Sequence, residues 1–493
     1  MFEAAELGHT IDAATYDRRV PKLRAALLDA QERLVASAPA AVVIVVAGID
    51  AAGKGETVNL LNEWMDPRYM ATWGIGAPTE GDYPPQHRYW KALPPKGRIG
   101  VFFGSWHDWP IRDRVRRVID QRTLDQRLEE TIRFERMLTD EGVVLVKLWF
   151  HLSKKEQKKR LRELERDKRT RWRVTAADWK HFAEYDRFRR VAEHAVRRTS
   201  TGNAAWTLVE GADRRYRNVA VATALLEALQ TCLDAKVPRR PTAAPPIKAP
   251  VDGKTLLAAF DASTKKPDRH YGDELERLQG RLALLTRDPR FAEIGSVVVF
   301  EGPDASGKGG AIRRLTAALD ARHYRVVPIA SPSEDERAQP YLWRFWRHVP
   351  RLGHHTLFDR SWYGRVLVER VEGLCAEADW MRAYGEIDDF EEQLGAHGVV
   401  VTKLWLQIDE KEQLRRFKGR ERTKFKQYKL TADDWRNRAK WGAYQTAASE
   451  MIERTSVERA PWTIVPANDK HHARLVVLRT VCDRLESALS KHG

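Results

Sequence analysis

The chain has 493 residues, room for roughly two to four domains of about 100–200 residues, each able to bury its own core. Apolar residues at 43% and charged residues at 31% are a globular composition, which excludes wholesale disorder. Lys plus Arg outnumber Asp plus Glu by 85 to 69, and the resulting net charge of +16 points to a polyanionic partner: nucleic acid, acidic lipid or polyphosphate.

The opening Met1-Phe2-Glu3-Ala4-Ala5-Glu6 has neither a basic start nor an apolar stretch, and no run of about 18 apolar residues occurs. No export signal and no membrane span are expected, and the expected compartment is the cytoplasm. Cys232, Cys375 and Cys482 lie too far apart to suggest a disulfide framework or structural zinc. The first β-branched run, Val42 to Gly48, reads as a strand. It leads into Gly48-Ile49-Asp50-Ala51-Ala52-Gly53-Lys54, a G-x-x-x-x-G-K phosphate loop. Phe102-Phe103-Gly104-Ser105-Trp106-His107, Lys147-Leu148-Trp149 and Trp206-Thr207-Leu208-Val209 follow. Residues 235–254 then carry Pro238, Pro241, Pro245, Pro246 and Pro250 without apolar periodicity, and read as a semi-rigid linker.

Beyond the linker the same signals return in the same order. Gly53 recurs as Gly307, an offset of 254, while Lys147 recurs as Lys403 and Trp206 as Trp462, an offset of 256. A drift of two residues over so long a stretch implies two copies of one domain, 1–234 and 255–493. Short β-branched runs alternate with amphipathic segments, which predicts an α/β fold with a parallel sheet in each copy. In the second copy strands are predicted over Ser296–Phe300, Tyr324–Ile329, Thr356–Phe358, Val399–Trp405 and Trp462–Val465. Helices are predicted over Lys308–Leu319, Ala378–His397 and Glu410–Lys418.

Gly302-Pro303-Asp304-Ala305-Ser306-Gly307-Lys308 is the second phosphate loop, placed between a predicted strand and a predicted helix. Its glycines let the backbone wrap a phosphate, its amides and the helix N-terminus donate to it, and Lys308 supplies a cation. Gly309 stands where most such loops carry the Ser or Thr that holds magnesium, so the metal acids are expected to be Asp304 and an acid from another strand end. That acid is Asp359 in Phe358-Asp359-Arg360-Ser361-Trp362-Tyr363, with Arg360 and Arg365 as candidate phosphate clamps. In the first copy Phe103 and Gly104 occupy the places of Asp359 and Arg360. That copy is therefore expected to keep the fold without efficient chemistry, with His107 and Asp108 the local candidates to substitute. Asp409 to Lys429 is the densest cationic stretch of the half. Gly419 and Thr423–Lys429 are expected to break its helix, so that Arg416–Lys429 forms a basic hairpin lid beside the site. Among Trp343, Trp346, Trp362, Tyr363, Trp435, Trp441 and Tyr444, one or two are candidates to stack on a base.

The loop through Gly310, the Phe358–Tyr363 motif and Lys411-Glu412-Gln413-Leu414-Arg415-Arg416-Phe417 together resemble the polyphosphate kinase 2 family. The likeness runs from about Tyr16 to Gln230 and from Tyr271 to the C-terminus, and the two fused units look like its AMP-phosphorylating branch. The resemblance implies a thymidylate-kinase-like P-loop domain with a helical lid. It also implies Mg²⁺-dependent transfer of the terminal phosphoryl of inorganic polyphosphate to AMP, giving ADP. Asp304, Lys308, Asp359 and Arg360 match the family's catalytic positions, with Asp304 and Asp359 at the metal. Gly302, Gly307, Gly309, Arg365, Arg416, Arg420, Lys424 and Lys429 would bind phosphate. Phe425 and Tyr428 vary the lid pattern, and Gly364 stands where the family has an Asn before the Arg. Two rival readings remain: a member acting on ADP or GDP or running toward polyphosphate synthesis, and a nucleic-acid-binding P-loop ATPase. No nucleic-acid recognition motif supports the second. A pseudo-two-fold packing of the copies, or a homo-oligomer, would suit a duplicated domain.

Overall fold

The structure, a computed structural model, describes residues 1–76, 81, 83–234, 255–263 and 270–491. The linker expected over 235–254 lies outside the described residues. The chain divides into two compact units, one built from Met1–Glu80, Arg88–Arg239 and Pro332–Trp343, the other from Gly81–His87, Arg240–Ser331 and Arg344–Gly493.

In the first unit the strands are β1 Val42–Gly48, β2 Met70–Gly74, β3 Ile99–Phe103, β4 Val144–His151 and β5 Trp206–Glu210. In the second they are β6 Gly295–Glu301, β7 Tyr324–Pro328, β8 His355–Asp359, β9 Val399–Gln407 and β10 Trp462–Pro466. The sheet orders, β2-β3-β1-β4-β5 and β7-β8-β6-β9-β10, are the same order twice, and every pairing is parallel. The central strands β1 and β6 are buried along their whole length, which is why each carries an unbroken apolar run, Val42–Ala47 and Val297–Phe300, rather than alternation. In the second unit Val298 and Phe300 of β6, Leu357 of β8 and Leu404 of β9 pack against Leu478, Val481 and Leu485 of the helix Lys470–Leu489. Each such side chain stabilises the fold by about 1.5–3 kcal/mol through burial. No described helix is long and apolar enough to cross a membrane.

A second reason for the repeated Lys-Leu-Trp motif lies beneath each sheet. Lys403 of β9 is fully buried and its Nζ donates to Glu391 Oε2 (2.8 Å), to the Thr455 carbonyl (2.6 Å) and to the Tyr363 hydroxyl (2.9 Å). Lys147 of β4 makes the same bonds to Glu135 (2.7 Å) and the Thr199 carbonyl (2.7 Å), with His107 on Glu135 at 2.7 Å. These paired charges tie two helices to one strand, and removing a single partner would leave a buried charge at a cost of about 3–5 kcal/mol.

The predicted strands of the second copy are found with ends shifted by one or two residues, and Asp359 is the last residue of β8. The helix from Lys308 ends at Thr316 rather than Leu319, and the one predicted over Ala378–His397 spans Glu377–Ala396. Gly419 does not break its helix, which runs Glu410–Glu421. Glycine inside a helix costs about 1 kcal/mol relative to alanine, and here the buried Phe417 and the Asp409 cap, accepting from the Glu412 amide, hold the turn against that cost. The break falls after Glu421 instead. A short 3₁₀ segment, Lys424–Lys429, precedes Thr431, which caps the helix Ala432–Ala439 through a reciprocal bond with Asp434.

Candidate active site

Register brings the chemistry together. Phe300 of β6 lies opposite Asp359 of β8, and Glu301 opposite Trp405 of β9, so the loop that leaves β6 starts beside the C-terminal end of β8. Gly302 leaves the strand at φ 137°, and a Cβ there would sit 2.5 Å from the Leu406 carbonyl oxygen, so only glycine fits. Gly307, at φ 114°, caps the helix Lys308–Thr316.

Lys308 is 9% exposed, and its Nζ donates to the carbonyls of Gly302 (2.8 Å) and Pro303 (3.2 Å), folding the ammonium back under the loop. Burial, and then Arg360, hold its pKa below the ordinary lysine value, against the pull of Asp359 and Asp304. Arg360 ion-pairs with Asp304 Oδ1, and Asn437 donates to the other oxygen at 2.9 Å. Burial acts to raise the Asp304 pKa, but Arg360 and Lys308 outweigh it and the carboxyl titrates below its usual range. Glu301 is also buried, accepts from the Ser361 hydroxyl at 2.9 Å, and burial pushes its pKa up. Arg360 adopts φ 65°, a left-handed conformation that is strained for an L residue.

Asp304, Lys308 and Arg360 line a cleft of about 690 Å³. Asp304, Gly307, Lys308, Gly309, Asp359, Arg360 and Arg420 all face it, as the sequence led one to expect, and Gly302 lies just outside its lining. Arg365 does not line it and is paired with Glu369 at 3.0 Å. Lys424 is exposed and outside the lining, and the Lys429 side chain lies outside the described part of the structure. Arg416 borders the cleft but differs from the expected lid cation. Its Nη1 donates to the Ala305 and Ser306 carbonyls (2.8 Å each), its Nη2 to the Ala467 and Asn468 carbonyls (2.6 and 3.0 Å), and its Nε to Glu412 (2.5 Å). The guanidinium holds the phosphate loop in shape, its donors engaged by the protein itself.

Four further cations that the sequence did not assign to the site face the cleft: Arg313, Arg415, which is paired with Glu412, Lys470 and Arg474. A signal for two of them exists, since Lys470 and Arg474 are spaced i, i+4 on the helix that follows the C-terminal end of β10. Of the aromatics, Trp346, Trp362 and Tyr363 are core, while Trp441 and Tyr444 border a small cavity that shares Asp304 and Arg360 with the cleft. Among the described residues no three His, Cys, Asp or Glu side chains converge on a metal position. Asp304 and Asp359 together still suit magnesium, which is held by one or two carboxylates and completed by substrate phosphates.

The first unit repeats the backbone and changes the side chains. Gly48, Ala51 and Gly53 adopt φ 128°, 64° and 88°, matching Gly302, Ala305 and Gly307, and Gly104 stands at φ 90° where Arg360 is. Phe103 ends β3 where Asp359 ends β8. His107 is 1% exposed and spent on Glu135, and Asp108 accepts from the Ser105 amide at 2.7 Å. Glu56, at the position of Gly310, gathers Arg217 (2.8 Å), Arg160 (3.1 Å) and Arg173 (3.4 Å). Arg217 is 2% exposed and stands where Ala473 is, and its Nη1 lies 1.9 Å from the point where a Gly53 Cβ would be. An internal carboxylate thus collects the cations beside this loop, and a side chain presses on the loop itself.

Comparison with known proteins gives a consistent result. The family model described as polyphosphate kinase 2 matches residues 10–236 and 265–493. The chain is 53% identical over 495 residues to a polyphosphate:AMP phosphotransferase of Pseudomonas aeruginosa, with 100% of both chains covered. It is 50% identical to a protein of the same name from Pseudomonas syringae pv. tomato, covering 100% of this chain and 99% of that one. A solved crystal structure assigned to polyphosphate kinase 2 of Pseudomonas aeruginosa superposes with a TM-score of 0.89 at 51% identity, covering 100% of both chains.

Proposed function

Because the chain belongs to the polyphosphate kinase 2 family, we propose that it transfers a phosphoryl group from inorganic polyphosphate to AMP, giving ADP, with the chemistry in the second unit. The observation that carries this reading is the cleft. It sets a phosphate loop, the carboxylates of Asp304, Asp359 and Asp434 and a row of cations from Arg313 to Arg474 along one opening, as an extended polyanion bound with a metal ion requires. The end-to-end likeness to relatives named for AMP as acceptor supports the acceptor.

In this reading the loop amides and Lys308 cradle the phosphoryl group that moves. Lys308 leaves the Gly302 and Pro303 carbonyls for the phosphate oxygens, where an anion restores the charge that burial disfavours. The P–O bond to the rest of the donor chain breaks as a bond forms to a phosphate oxygen of AMP, and Arg360 and Arg420 offset the charge spread over the moving group. Asp359 orients the acceptor, and Asp304 with Asp359 would hold a divalent ion, which we take to be Mg²⁺. When bound, that ion neutralises phosphate charge in the transition state. The first unit, with Phe103 and Gly104 in place of the acid and the arginine, serves as a scaffold without turnover.

The test is phosphoryl transfer by the purified chain with Mg²⁺ and long-chain polyphosphate, offering AMP and ADP separately and resolving the nucleotides by chromatography. Conversion of AMP to ADP is expected. ATP formed from ADP with AMP left untouched would overturn the acceptor assignment.

A further inference from the structure

The first unit carries a second cationic concavity, lined not by its loop but by the helices Asp108–Val115, Gln121–Asp140 and Tyr185–Thr199 and the turn that follows the first of them. Arg114, Arg117, Arg187, Arg190 and His194 border a groove of about 590 Å³. The copies differ there. At the offset of 256 the counterparts are Arg370, Gly373, Ala443, Thr446 and Glu450, so of four arginines and a histidine one arginine remains, and Arg370 is neutralised by Glu450 at 2.7 Å. The carboxylate in the groove, Asp125, is taken by His194 (2.6 Å) and Gln121 (3.3 Å). Arg187 donates to the Val115 carbonyl (3.0 Å), while Arg114 and Arg190 make only long bonds, to Gln121 and to the Asp186 carbonyl (3.4 Å each). Among the described residues Arg114, Arg117 and Arg190 have no carboxylate within 4 Å.

Arg117 adds an observation of another kind. It adopts φ 64°, where its counterpart Gly373 adopts φ 67°. Glycine takes this conformation freely and an L residue is strained in it. A long cation is thus kept at a position whose backbone suits glycine, and its side chain is exposed at the groove.

We propose that this groove is a second binding site for the polyphosphate chain, built from residues that the transfer cleft does not share; the identity of the ligand rests on the function proposed above. Guanidinium groups spaced along a groove match the repeating oxygens of polyphosphate and ask nothing else of the ligand. Among the described residues the lining has no Phe, Tyr or Trp on which bases would stack, which favours polyphosphate over single-stranded nucleic acid.

The discriminating variant is Arg117→Gly in the full chain. It removes a cation and relieves the backbone, so its melting temperature is expected to rise while its KM for long-chain polyphosphate rises several-fold. Its kcat, and its KM for tripolyphosphate, which has too few phosphates to engage the several arginines of the groove, stay unchanged. In parallel, retention of labelled long-chain polyphosphate is compared between Lys308→Ala and the same protein with Arg114→Ala, Arg117→Gly and Arg190→Ala added, and a drop of about tenfold is expected. Unchanged KM and unchanged retention overturn the proposal. Equal losses with tripolyphosphate and long chains also overturn it, because they would place the groove in the transfer reaction. Loss of retention of a single-stranded oligonucleotide, with polyphosphate retention intact, would assign the groove to nucleic acid instead. If the wild-type chain transfers nothing from polyphosphate, the functional reading fails, and the retention comparison still decides whether the groove holds the polymer.

Discussion

At the scale of single residues, the second unit holds several groups in states they would not adopt in water. Arg360 has a strained backbone and a half-buried partner in Asp304, while Lys308 is held below its usual pKa by burial and by Arg360. His355, the first residue of β8, is the clearest case for measurement. It is 3% exposed, it stacks on Phe291 with centroids 4.7 Å apart, and burial, with His354 and His323 nearby, takes its pKa down to about 3. The folded value lies below the unfolded one, so the unfolded chain binds the extra proton as pH falls. The stability is whole above about pH 6.5 and drains between there and about pH 3, at about 1.4 kcal/mol per pH unit. Denaturant unfolding across that window is expected to show this slope, and His355→Phe, which keeps a ring on Phe291, to flatten it. An equal slope in the variant would assign the acid sensitivity to other groups.

At the scale of elements, the helix Glu410–Glu421 shows how composition misleads about role. Its cationic run suggests a lid gripping substrate, and Arg420 does face the cleft. Arg416, four residues earlier and one turn deeper, is spent on four loop and strand-end carbonyls. Nothing in the sequence separates the two, since both are arginines on one helix; what separates them is how far each side chain is buried. Arg416→Ala is therefore expected to lower stability by about 3 kcal/mol in urea unfolding, by leaving Glu412 without its buried partner and the loop carbonyls unpaired. Turnover should fall with it because the loop loses its shape. Wild-type stability combined with a higher KM for polyphosphate would put Arg416 on the substrate instead.

At the scale of the whole molecule, two units with one topology carry different side chains around the same loop. The loop backbone of the first unit keeps its left-handed positions, while Phe103 and Gly104 replace an acid and a cation, and Glu56 and Arg217 stand where the second unit has Gly310 and Ala473. Asp359→Asn is expected to reduce turnover by at least about 100-fold, and Asp50→Asn to leave it within about twofold, measured as AMP-dependent consumption of polyphosphate. Similar losses in the two variants would mean that both units turn over.

The sequence by itself determined the duplication, the parallel α/β sheets, the place of both G-x-x-x-x-G-K loops between a strand and a helix and the strand end that carries Asp359. All of these rest on local signals: apolar runs, glycines at positions that require positive φ, and charges next in line to a strand. Only the tertiary structure decided which cations face the cleft. Lys470 and Arg474 reach it from a helix more than 160 residues after Lys308, and Arg365 turns away to Glu369. Tertiary structure likewise decided that Glu56 and Arg217, distant in sequence, meet over the first loop. The physical reason is that a charge is neutralised or left open by whatever lies within a few ångströms of it, and those neighbours are set by packing between elements, which no local pattern encodes.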